Sequence, residues 1–100
     1  MVNHKSKNYD AAFLGRIAED KGIFVLLKAR KKVVGKIPSA NLLLIGGIDN
    51  KMEENLYMRI HKLQLKQNVT VAGFVADKEM VQLLKSSKIF VLPSIREGFG

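Results

Sequence analysis

The sequence predicts an α/β fold in which about four parallel strands alternate with three helices. Three features point to it. Short apolar runs of strand length alternate with longer segments of helical periodicity. One run, Leu42-Leu43-Leu44-Ile45, is apolar without interruption, as a strand covered on both faces requires. Turn residues punctuate the runs: Gly15-Arg16 after the first, Gly46-Gly47 at the end of the second and Pro93 after the fourth. Helices of about 10–15 residues between strands imply parallel pairing through right-handed crossovers.

Residues 1–9 read as a polar leader or linker, and residues 10–100 as part of one domain. His4, with no second ligand nearby, is a bystander. Ala11 to Ile17 is a short strand running into a turn at Gly15-Arg16. Asp20-Lys21-Gly22 then precedes a segment in which Ile23, Leu26, Leu27, Val34 and Ile37 follow the spacing of an amphipathic helix. Lys28, Arg30, Lys31, Lys32 and Lys36 form its solvated face, and Gly35 and Pro38 close it. Asn41 to Gly47 is the second strand. Asp49 and Asn50 are N-cap candidates for a helix with Met52, Leu56, Ile60 and Leu63 on one side and His61 on the wet side. Asn68 to Phe74 is the third strand. Asp77 reads as the next N-cap, with Glu79 in the first turn and Met80, Leu83 and Leu84 as the apolar stripe. Ile89 to Leu92 is the fourth strand, ended by Pro93, which has no N–H to donate. The whole is a Rossmann-like order with no internal repeat and no second domain.

Composition narrows the function classes. At 47% hydrophobic, the 100 residues can build a core, which excludes a disordered chain. No apolar run approaches the ~20 residues needed to span a bilayer, and the amino end has no signal-peptide pattern. Absent cysteine excludes a disulfide scaffold and a thiolate metal site, and agrees with a cytoplasmic protein. The net charge of +8 favours anionic partners: nucleic acid, acidic lipid or phosphorylated ligands.

Three candidate sites fall on strand-to-helix turns, which share one edge of a parallel sheet. The first is Gly15-Arg16 with Lys21-Gly22. Arg16 can fork to two phosphate oxygens, Lys21 adds a compact charge, and the helix starting near Gly22 aims its N–H groups at the same place. Ordinary surface cations are the alternative. The second is Ala72-Gly73-Phe74-Val75-Ala76-Asp77, where Phe74 and Val75 could wall a ligand or plug the strand end. The third is Glu97-Gly98-Phe99-Gly100, a carboxylate beside glycines that let the backbone approach a ligand. Gly46-Gly47 is a permissive rim.

These motifs, in this order, resemble the C-terminal, donor-binding domain of retaining glycosyltransferases of the GT-B fold (group 1, family 4 type). Gly15-Arg16 with Lys21-Gly22 matches the family's donor-phosphate motif, and Gly73 to Asp77 its G-F-V-x-D turn. Val91 to Gly100 looks like the start of its E-x7-E signature, with Glu97 as the first glutamate and the second falling beyond Gly100. The resemblance covers nearly the whole chain. It implies a nucleoside-diphosphate sugar as donor and transfer of a hexosyl unit to an acceptor hydroxyl with retention, in polysaccharide or glycolipid synthesis. It implies that Arg16 and Lys21 hold the diphosphate and that Glu97 bonds the transferred sugar. The N–H groups of Phe99 and Gly100 would orient that sugar, and Phe74 and Val75 would border the base. No metal is implied. The acceptor would sit on a separate N-terminal domain, so this segment alone would not turn over.

The rivals are weaker. A dinucleotide oxidoreductase needs G-x-G-x-x-G after the first strand, which is missing. A nucleic-acid module would use the lysine face of the first helix, but that face lacks interleaved aromatics, so no nucleic acid is expected. The same face could meet anionic lipid at the inner side of a membrane, which is compatible with the transferase.

Overall fold

The computed structural model describes residues 9–18 and 22–91. The elements follow in the predicted order: β1 (Tyr9–Leu14), α1 (Ile23–Lys36), β2 (Leu42–Ile45), α2 (Asn50–Lys62), β3 (Val69–Gly73), α3 (Asp77–Lys85) and β4 (Ser87–Val91). All pairings are parallel, and the strands stand in the order β3-β2-β1-β4. Ala11 to Leu14 pair in register with Leu42 to Ile45, and Phe13 pairs with Val91 on the other side. Strand β3 carries one extra residue between Val71 and Gly73, the partners of Leu44 and Ile45.

The sheet has a helix layer on each face because its side chains alternate. Ala11, Phe13, Leu42 and Leu44 pack with Ile23 and Leu27 of α1 and Met52, Leu56 and Ile60 of α2. Ala12, Leu43 and Ile45 turn the other way and pack with Leu83 of α3. All four residues of β2 are therefore buried, as its unbroken apolar run requires. Burying each such leucine contributes roughly 1.5–3 kcal/mol.

Several local expectations shift. Tyr9 belongs to β1, not to a leader: it is 1% exposed, and its N–H donates to the carbonyl of Ser86 at 2.8 Å. Asp49 does cap α2, accepting from the Met52 N–H at 2.8 Å. Asp77 does not cap α3. The N-cap is Ala76, and Asp77 and Glu79 sit inside the first turn, where negative charge still complements the helix dipole. Gly35 lies within α1 instead of ending it.

The largest correction concerns the basic face of α1. Arg30 is not solvated: its side chain is 9% exposed, and Nη2 lies 2.8 Å from Asp10 Oδ1 and 2.7 Å from Oδ2. The N–H of Asn41 also donates to Asp10 Oδ1. The reason is position on the helix. Arg30 stands three residues after Leu27, on the stripe that faces the sheet, and its length carries the guanidinium to the amino edge beside β1.

Candidate functional site

In this parallel sheet every strand ends on the same edge, and every helix begins there. The strand order locates one special point on that edge. After β1 the chain moves outward through β2 and β3, then crosses back to place β4 on the far side of β1. The connections diverge between β1 and β4, and the crevice outside the carboxyl ends at such a switch point is where open α/β sheets bind ligands.

Gly15 and Arg16 follow directly from β1 at this point. Arg16 is exposed, so its guanidinium is open to a ligand. Ile17 is buried and anchors the turn, with its N–H on the carbonyl of Gly47 at 2.9 Å. Gly22 is the N-cap of α1 and supplies no side-chain cap. The first turn of α1 holds no acidic residue, whereas α2 has Asp49 and Glu53 at its start and α3 has Asp77 and Glu79. Among the described residues, α1 therefore offers the N-terminus best suited to an anion. Glu19 and Asp20, which precede it in sequence, lie outside those residues.

The turn depends on a glycine that the sequence marked only as a permissive rim. Gly15 and Gly46 have φ of 151° and 149°, a region that disfavours any residue with a Cβ. A Cβ on Gly46 would lie 1.7 Å from the carbonyl oxygen of Gly15 and 2.6 Å from its carbon. Nothing but glycine lets the β1 turn rest against the end of β2. Backbone bonds extend this contact across the sheet: Gly15 N–H to Ile45 O at 3.0 Å, and Gly46 N–H to Gly73 O at 2.8 Å. The clue in the sequence was a glycine at the end of each of three successive strands.

Phe74 and Val75 stand on the same edge but beyond β3, two strand spacings or roughly 10 Å from the end of β1. Phe74 is 85% exposed, so it plugs nothing. Val75 is half-buried against the α3-side core. Thus the fold puts Gly15 and Arg16 after β1 and Gly22 at the start of α1 on one edge of the sheet, with Phe74 and Val75 farther along it beyond β3. Lys21, Glu97, Gly98, Phe99 and Gly100 lie outside the described residues. Among the described residues, no cluster of three His, Asp or Glu side chains could hold a metal ion, and no helix is long and apolar enough to cross a membrane.

The sequence pattern of the family "Glycosyl transferases group 1" matches residues 2–100. An uncharacterised glycosyltransferase of Methanocaldococcus jannaschii is 36% identical over 85 residues, covering 85% of this chain and 20% of the relative. The capsular polysaccharide biosynthesis glycosyltransferase CapM of Staphylococcus aureus is 34% identical over 95 residues, covering 93% of this chain and 24% of CapM. The chain thus spans only about a fifth to a quarter of the curated relatives it matches. Its fold is shared with the C-terminal domain of a glycosyl transferase group 1 family protein (LpcC) of Francisella tularensis, at a TM-score of 0.78 and 24% identity over 96% of this chain and 52% of that one. The family match over nearly its whole length, with the relatives' identity, makes this chain a member of the group 1 glycosyl transferases.

Proposed function

We propose that this chain is the donor-binding part of a retaining GT-B glycosyltransferase that uses a nucleoside-diphosphate sugar. The observation that carries the proposal is the Gly15-Arg16 turn at the β1/β4 switch point, beside an α1 N-terminus without a carboxylate in its first turn. An exposed guanidinium and a ring of backbone N–H groups suit a diphosphate. The same groups serve catalysis, because negative charge grows on the diphosphate as the sugar–oxygen bond breaks and fixed positive groups lower that barrier.

Arg16, Lys21 and the α1 N-terminus hold the diphosphate in this proposal. Phe74 and Val75 border the base, and Glu97 with Gly98, Phe99 and Gly100 receives the sugar. The full protein passes a hexosyl unit to an acceptor hydroxyl on a separate domain, with retention, in cytoplasmic glycan synthesis. The capsular polysaccharide biosynthesis of the relative CapM supports a glycan product.

An amide-correlation NMR titration with UDP, GDP and ADP tests the site. One nucleotide is expected to shift peaks confined to 15–22, 74–77 and 97–100. Arg16→Ala is expected to weaken that binding by about tenfold or more while leaving the unfolding midpoint unchanged, because the side chain is exposed. A folded spectrum indifferent to all three nucleotides would refute the site.

A further inference from the structure

Helices α1 and α2 lie side by side on one face of the sheet, and their outward surface has no use in the donor site. Val25, Lys28, Lys32 and Lys36 of α1 are exposed and share one stripe at helical spacing. The helix contains no acidic residue at all. Two of its five cations are already engaged: Arg30 with Asp10, and Lys31 with Gln64 Oε1 at 3.4 Å. Lys28, Lys32 and Lys36 remain at the surface. Across the groove, Arg59 of α2 stacks over the Phe24 ring at 4.5 Å, joining the helices, while Met58 and Lys62 line the same groove. Val25 is 70% exposed and Met58 63%. Glu54 is exposed on α2 in partial opposition.

We infer that this α1–α2 face docks on a bilayer containing anionic phospholipid. Its lysines match the negative surface, and its exposed apolar side chains, Val25 and Met58 with the amphipathic ring of Tyr57, gain by entering the headgroup layer. Nucleic acid would reward aromatic platforms between the cations, whereas the α1 stripe sets Val25 and Ala29 among its lysines. The carboxyl edge runs across the end of this face, so docking leaves the donor site open. The inference stands whether or not that site binds a nucleotide.

Co-sedimentation of the full chain with vesicles tests it, using phosphatidylcholine alone or mixed with phosphatidylglycerol. Binding is expected only to the mixed vesicles, and to fall as salt rises. Lys28→Gln with Lys32→Gln should weaken it about 25-fold, at roughly fivefold per basic residue near the surface. Val25→Ser with Met58→Ser should weaken it several-fold, which a purely electrostatic contact would not show. Lys78→Gln with Lys85→Gln on α3, behind the opposite face of the sheet, should leave it close to wild type. All these side chains are exposed, so the variants should keep the wild-type circular dichroism. Failure to sediment, equal binding to neutral vesicles, or an equal loss in the α3 pair would overturn the inference. So would tighter binding of a single-stranded RNA than of the mixed vesicles.

Discussion

The two edges of the sheet are held by different means. The amino edge is stitched by side chains. Asp10 accepts from Arg30 and from the Asn41 N–H, and Asn68 Nδ2 reaches the carbonyls of Pro38 and Ala40, each at 2.8 Å. Among the described residues, the carboxyl ends of the strands are joined by main chain, through Gly15 to Ile45, Ile17 to Gly47 and Gly46 to Gly73. Side chains spent on tying an edge together cannot meet a ligand. The edge joined by backbone leaves Arg16 and Phe74 exposed at its surface, so one end supports the fold and the other is open to the proposed ligand.

The sharpest way to break this contrast is Gly46→Ala. The new methyl group would collide with the Gly15 carbonyl in a backbone region unsuited to alanine, and a loss of roughly 3–5 kcal/mol is expected in denaturant unfolding. Gly47→Ala is the control. A Cβ there meets nothing within 4 Å, so the change should stay within about 0.5–1 kcal/mol. Equal effects of the two would mean that the close approach does not hold the turn.

At the amino edge, Asp10→Ala leaves the Arg30 charge buried without its carboxylate. A cost of about 3 kcal/mol is expected, toward the low end for a buried pair because Asp10 is 35% exposed. Adding Arg30→Met should recover part of that loss, since an apolar replacement removes the stranded charge. Neither change should alter nucleotide affinity. A shift in affinity would show that the two edges are coupled.

Smallest is Gly35→Ala. The glycine lies inside α1 with open space around its Cβ position, so alanine should stabilise the chain by roughly 0.5–1 kcal/mol, seen as a raised unfolding midpoint. It touches neither edge and sets the scale of a purely local change.

Features governed by near neighbours were legible in the sequence. The alternation of strands and helices, the twofold burial of Leu42–Ile45, the Asp49 cap and the shared edge of the glycine turns all follow from periodicity and from residues a few positions apart. The errors have the same origin. Asp77 and Ala76 compete for one cap within a single residue, a margin that sequence patterns do not resolve. The lysines around Arg30 in sequence point to a wet face, while its partner Asp10 is 20 residues away.

The chain order of residues thus specified which segments become strands, which become helices, and where a phosphate-binding turn could stand. Only the packed sheet chose the order β3-β2-β1-β4, and with it the switch point beside Gly15-Arg16. It also set the backbone of Gly15 against Gly46 and drew Arg30 inward to Asp10. Helix and strand preference arises among residues a turn or two apart. Strand order, close backbone approach and buried ion pairing arise between groups that meet only once distant parts of the chain have come together.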